Sequence, residues 1–321
     1  MSETSYPYAV GRIKVKEAGF IDKNRWNRIW ESSEGEALKL LEEIGYGAEA
    51  KNPESLDSRI DAELKSTREL LNEITPDRAL TDLLLLPTDA HNIKAVLKGQ
   101  QQRVAVDDIL LEGGSIPLEA LKKAMEHGDY DTFPPVLAAA LKDLDEEADP
   151  RKISAGVDFA VYGQIAETLK RHKDALLSRY FSAKADFTNI LTILRANVLR
   201  WENYKVKPLL VPGGAAAEGD LLEGLGLSAE QLIKQLSAGE DAVFIRNVLE
   251  KYAQDSNLTE AEQKFEDKAY AIVHEARNDS FGMGPIANYL LTKTAEARAL
   301  RVLFASKRSG IKVSLAELGV A

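Results

Sequence analysis

One short cassette recurs along this chain, and its internal spacing is that of a helix. The first copy reads Asp89-Ala-His-Asn92-Ile93-Lys-Ala-Val96-Leu97-Lys98, and the second Asp186-Phe-Thr-Asn189-Ile190-Leu-Thr-Ile193-Leu194-Arg195. A looser third reads Glu296-Ala-Arg-Ala299-Leu300-Arg-Val-Leu303-Phe304. Asn92 and Asn189 are 97 positions apart (189 − 92), and Ala299 follows Asn189 by 110 (299 − 189). An acid followed by apolar residues at i+4, i+7 and i+8 is the stripe of any amphipathic helix with an acidic first turn, so the spacing alone asks for helix and no more. The shared Asp-x-x-Asn-Ile in two copies adds the expectation of one helical unit built three times. So does the similar sequel, Leu110-Leu111-Glu112-Gly113-Gly114 after the first copy and Leu209-Leu210-Val211-Pro212-Gly213-Gly214 after the second. Each Gly pair suits the positive φ of a helix end or tight turn. A repeating scaffold argues against a single catalytic pocket.

Composition points the same way. Of the 321 residues, 45% are hydrophobic and 29% charged. Leu, Ala, Glu and Lys dominate, and sustained Val/Ile/Thr alternation is scarce, which predicts an all-α fold. The length exceeds that of a typical single domain, although repeats can merge into one body. A net charge of −10 argues against direct gripping of nucleic acid or anionic lipid, both of which need clustered Lys and Arg. Cysteine is absent, which excludes disulfides, thiolate catalysis and Cys-type zinc sites. The opening Met1-Ser-Glu-Thr-Ser is polar and acidic, unlike a secretory leader. No apolar run approaches the ~20 residues that span a bilayer. The expectation is a protein that is soluble, or peripheral to a membrane through other proteins.

Residues 6–20 and 22–44 read as two helices, the second stopped by Gly45-Tyr46-Gly47. A longer helix follows from Leu56, and Pro76 suits the first turn of the next. Pro87 predicts a kink or a restart just ahead of the first cassette, and Pro117 opens a short helix. Phe159, Tyr162, Ile165, Leu169, Leu176 and Tyr180, continued by Phe187 to Trp201, trace a slowly drifting face that predicts a long spine. The acidic run at 143–149 reads as solvated surface. Ser228-x-x-Gln231 and Thr259-x-x-Glu262 match capping boxes. A last helix carries Ile286, Tyr289, Leu290, Leu300, Leu303 and Phe304 and ends at Ser309-Gly310. Trp26, Trp30 and Trp201 read as core residues.

The usual chemistry is missing. His91, His127, His172 and His274 are scattered without metal-ligand spacing, so no metal is expected. No Gly-x-x-x-x-Gly-Lys-Ser/Thr loop exists for a nucleotide phosphate. Gly282-Met-Gly284 lies between helices and reads as a helix break rather than a dinucleotide fingerprint. Ser115 lacks a nucleophile elbow. Asp107-Asp108-Ile-Leu-Leu111 begins like the magnesium motif of helical diphosphate synthases, but Leu111 stands where the third acid is required. No nucleophile, acid, base or cofactor site is nominated. A free-standing α-helical adaptor and a helical diphosphate-type synthase stay open at this point, beside the reading that the family resemblance below implies.

Taken in order, the cassettes, the Gly-Gly loops and Gly284-Pro285-Ile286-x-x-Tyr289-x-x-x-Lys293 decide among them. With Tyr8-Ala9-Val-Gly-Arg12-Ile-Lys14 at the start and Leu300-Arg301-Val-Leu303 and Lys307-Arg308 near the end, the chain resembles the C subunit of the archaeal and bacterial A/V-type ATPase. That family includes the d subunit of the eukaryotic V-ATPase, and the resemblance covers nearly the whole length. Two positions depart from it. Thr294 stands where the family often has Glu, and Pro87 falls within a stretch that is a continuous helix in relatives.

The resemblance implies a funnel-shaped body of three similar helical units with pseudo-threefold symmetry, here about 1–111, 112–214 and 215–321. It implies a non-catalytic central-stalk connector without cofactor or metal, seated on the membrane rotor ring and gripping the central axle. Such a part transmits torque, coupling ATP synthesis or hydrolysis elsewhere in the complex to proton or sodium transport. It would lie on the cytoplasmic side of the membrane, attached through the ring, with no span of its own and no nucleic acid partner. The loops with exposed-looking apolar and basic residues are the expected interfaces: Glu112, Ile116 and Pro117 in one, Tyr204, Lys205, Lys207 and Leu210 in the other.

Overall fold

The computed structural model describes residues 5–144, 149–237 and 239–319, and among these every regular element is a helix. In chain order these are α1 (Tyr6–Lys16), α2 (Lys23–Glu31), α3 (Glu34–Glu43), α4 (Leu56–Ile74), α5 (Arg78–Gln102), α6 (Leu118–His127), α7 (Pro135–Lys142) and α8 (Pro150–Arg171). They continue with α9 (Ala175–Val198), α10 (Asn203–Val206), α11 (Glu218–Glu223), α12 (Ala229–Leu236), α13 (Ala242–Asp255), α14 (Leu258–Glu275) and α15 (Gly284–Ser309). The all-α expectation holds. No helix among the described residues is long and apolar enough to cross a membrane.

Local side chains decide where these helices start. Asp22 accepts from the Arg25 amide at the head of α2, and Ser33 and Glu36 cap each other's amides to open α3. That capping box splits the stretch 22–44, expected as one helix, into two. The expected spine is likewise two helices, because Asp174 caps a new start by accepting from the Leu177 amide. The Ser228/Gln231 box forms as expected. At α14 the cap is Asn257 instead of Thr259, since its side chain accepts from the Glu260 amide at 3.1 Å. Pro87 neither ends nor restarts a helix but lies within α5, while Pro76 stays outside it, two residues ahead of Arg78. Residues 145–148 of the acidic run lie outside the described residues. Asp149, at the end of that run, caps α8 through the Arg151 and Lys152 amides.

The helices fall into two compact units. One comprises Met1–Thr88, Leu111–Leu118 and His274–Ala321, and the other Asp89–Leu110 and Glu119–Val273. In the first, α15 is the central element. Its Ala297, Ala299, Leu300, Leu303 and Phe304 are buried together with Trp26, Ile29 and Leu41 from the α2–α3 hairpin and Leu56, Ile60 and Leu64 from α4. Trp30 departs from expectation: it is 40% exposed, and its indole N–H donates to the Val313 carbonyl at 2.7 Å. In the second unit Phe187 stacks on Phe265 at 4.6 Å between ring centres, with Phe244 tilted against both. The cassette residues Ile93, Ile190, Ile193 and Leu194 are buried there, as their periodicity requires. Trp201 is half-buried with Arg151 over its ring.

Candidate interaction surface

The loop after the second cassette is fastened by the cassette itself. Asp186 and Asn189 are three residues apart on α9 and therefore share a face. Asn189 grips Val211 twice, donating to its carbonyl at 2.9 Å and accepting from its amide at 2.8 Å. Asp186 accepts from the Ala215 and Ala216 amides, each at 3.0 Å. A Cβ at Gly214 would collide with the Asp186 carboxylate, and Gly213 takes φ +96°, so the glycine pair is a geometric requirement of this attachment.

Pinned in this way, the loop turns some residues in and others out. Val206, Leu210 and Val211 are buried. Tyr204 is 66% exposed, Lys205 lies over its ring at 5.5 Å, and the exposed Lys207 pairs with Glu218 at 3.0 Å. The neighbouring end of α9 exposes Val198 and Leu199 as well. In the first unit, Gly113 has φ +89° and its backbone passes close to Leu64. Ile116 there is buried, Glu112 half-buried and Pro117 exposed. Of the seven residues expected at interfaces, Ile116 and Leu210 therefore serve as anchors inside their own chain. Pro117, Tyr204, Lys205 and Lys207 are exposed, and Glu112 is half-buried. The three residues of the first loop and the four of the second belong to different units.

The most concentrated chemistry lies elsewhere, under α15. Lys293 is 2% exposed and donates to Glu63 at 2.9 Å, Glu296 at 3.0 Å and the Gly19 carbonyl at 3.3 Å. The second Glu296 oxygen accepts from the Ile21 amide at 2.6 Å, and that of Glu63 from the Gly47 amide at 3.0 Å. The rings of Phe20 and Tyr46 each lie 5.3 Å from the ammonium. Burial works against the Lys293 charge, but the two carboxylates outweigh it and hold its pKa above the usual lysine value. Burial pushes Glu296 up, and the opposing pull of Lys293 and the Ile21 amide does not cancel it. The Tyr46 phenol, buried beside both acids, is held neutral. Every Lys293 proton and both outer carboxylate oxygens are committed to the protein, so the cluster is a fastening for two loops. The sequence motif ending in Tyr289-x-x-x-Lys293 and the third cassette's Glu296 signalled part of it. Nothing local signalled Glu63.

Among the described residues no three His, Asp or Glu side chains gather as a metal site. Asp107 of the partial magnesium motif is instead paired with Lys122 at 2.6 Å.

Sequence comparison supplies the family. The model of the ATP synthase (C/AC39) subunit family matches residues 9–317. A protein of Thermococcus onnurineus, named as the C subunit of an A-type ATP synthase, is 26% identical, over 94% of this chain and 86% of its own length. Proteins of the same name from a Desulfurococcus species and from Methanosphaera stadtmanae are 24% and 23% identical, covering 96% and 94% of this chain and 88% and 84% of their own. With a match along nearly its full length, the chain belongs to the ATP synthase (C/AC39) subunit family.

Proposed function

We propose that this chain is the non-catalytic connector of a rotary A/V-type ATPase, joining the membrane rotor ring to the central axle and passing torque between them. The observation that carries the reading is the family match over residues 9–317, with relatives named as the C subunit of A-type ATP synthases. The physical character of the chain supports it. Packed helices, the only regular elements among the described residues, make a stiff part, because close-packed interiors resist deformation, and stiffness is what a torque-bearing part needs. Chemistry at ATP and movement of protons or sodium ions then belong to other parts of the complex. The connector lies on the cytoplasmic side, attached through the ring, its three helical units arranged as a funnel around the axle.

A single copy seated on a ring of many identical subunits cannot make equivalent contacts to each of them, so modest polar and ionic contacts suit that side. Tyr204, Lys205 and Lys207 are the residues we assign to it, with Glu112 and Pro117 in a second patch. An affinity-tagged chain expressed in its own host should bring down ring and axle proteins from solubilised membranes. Lys205→Glu with Lys207→Glu should lower the recovery of one of them severalfold. Undiminished recovery removes this loop from the interface, and capture of no ATPase component by the unaltered chain overturns the whole reading.

A further inference from the structure

Three features of the cassette helices recur at constant offsets. Each helix is followed by a left-handed residue, with φ 55° at Arg103, 53° at Arg200 and 72° at Gly310. These stand 11 positions after Asn92, Asn189 and Ala299. Eight positions after the same residues come Gln100, Asn197 and Lys307. Each reaches the first helix, or the turn, of a pair of short consecutive helices. Gln100 donates to the Met125 carbonyl in the last turn of α6 at 3.3 Å. Asn197 donates to the Gly224 carbonyl at 3.0 Å and accepts from the Gly226 amide at 2.8 Å, between α11 and α12. Lys307 donates to the Trp30 carbonyl at 2.8 Å and to that of Ser32, between α2 and α3.

In the second and third copies the cassette acid reaches the same hairpin. Asp186 accepts from the amide of Ala216, immediately before Ala217, the N-cap of α11. Glu296 accepts from the amide of Ile21, immediately before Asp22, the N-cap of α2. In the first two copies the hairpin follows its core helix along the chain. In the third it comes from the opposite end of the sequence.

We infer that residues 19–43 are the hairpin of the third unit, closed onto α15 as a non-covalent clasp. The repeating element is then a core helix with the helix pair that its eighth-position side chain and, in the second and third copies, its acid hold, and the third element is split across the sequence. The α6–α7 and α11–α12 pairs follow their core helices after segments 103–117 and 199–217, whereas α2–α3 comes from the opposite end of the sequence and is held to α15 by contacts. Those contacts are correspondingly stronger. Lys307 replaces a neutral amide, Arg308 pairs with Glu34 at 2.9 Å, and the segment after Gly310 lies over the hairpin, with Val313 accepting from the Trp30 indole. Val313, Leu315 and Leu318 pack on its apolar residues. The clasp goes beyond the connector reading and stands without it.

Amide hydrogen exchange on the purified full chain, without partners, tests this. Lys307→Met should speed exchange across residues 23–43 together by about tenfold or more, since two charged hydrogen bonds are lost, while α6–α7 and α11–α12 keep their rates. Trp30→Phe, which removes only the bond to Val313, should act in the same direction and more weakly. It decides the matter should Lys307→Met fail to fold. Asn197→Ala should speed exchange in α11–α12 and leave residues 23–43 unchanged. Unchanged exchange at 23–43, or exchange of α2–α3 in step with α4 and α15, overturns the clasp.

Discussion

At the scale of single residues the decisive position is Lys293, one buried ammonium serving two carboxylates and a carbonyl. Removing one partner of a buried ion network leaves charge without compensation, which typically costs about 3–5 kcal/mol. Lys293→Met should lose stability on that order in urea unfolding, and adding Glu296→Gln should recover part of it. Strictly additive losses would mean that the two side chains do not act together. A second residue sets a pH dependence. Burial raises Asp61 from 3.8 to about 6, against the opposing pull of Arg301 and with help from Glu112 and Asp57. The folded chain therefore holds a proton between those values that the unfolded chain releases. Stability contributed by this group rises as pH falls through 6 and is absent above it. Asp61→Asn should raise the unfolding midpoint at pH 7.5 and flatten its change between pH 7.5 and 5. A variant profile parallel to the original would refute the assignment.

At the scale of elements, caps and glycines show what was readable in advance. Ser228-x-x-Gln231 formed its box because both partners lie within one helical turn, where spacing fixes geometry. Thr259-x-x-Glu262 has the same spacing but lost to Asn257, which also caps three residues ahead and starts the helix earlier. Pattern alone cannot rank two such caps. Pro87 within α5 was legible as a residue but not in its outcome, since helix on both sides carries the backbone through. Gly284 tests the element scale directly. Its α-carbon passes so close to the Ala276 carbonyl that a Cβ would overlap it, whereas Gly11 in α1 has open space around it. Gly284→Ala should cost about 1–3 kcal/mol by overpacking. Gly11→Ala should instead gain up to about 1 kcal/mol of helix propensity. Equal effects in thermal melts would contradict the close crossing.

For the whole molecule, net charge and family match govern what can be expected. With −10 in total, the chain should pass unretained through a heparin column near neutral pH and moderate salt, because polyanions bind through clustered, unpaired cations. Firm, salt-sensitive retention would reveal a basic surface strong enough to compete with that charge. Many of the cations are already engaged: Arg12 with Glu73, Lys207 with Glu218, Arg179 with Glu240 and Asp241.

The amino-acid order by itself determined the helical class, most helix faces, the recurrence of the cassette and the family resemblance. These depend on neighbours within a turn or on ordered motifs, and both are written along the chain. Tertiary structure alone decided that Glu63 meets Lys293 across 230 positions (293 − 63), that Ile116 and Leu210 turn inward while Trp30 stays half outside, and that Glu296 and Lys307 reach back to the hairpin at 23–43. Burial and long-range pairing arise only when distant helices compete for the same space, and no local spacing rule encodes the winner.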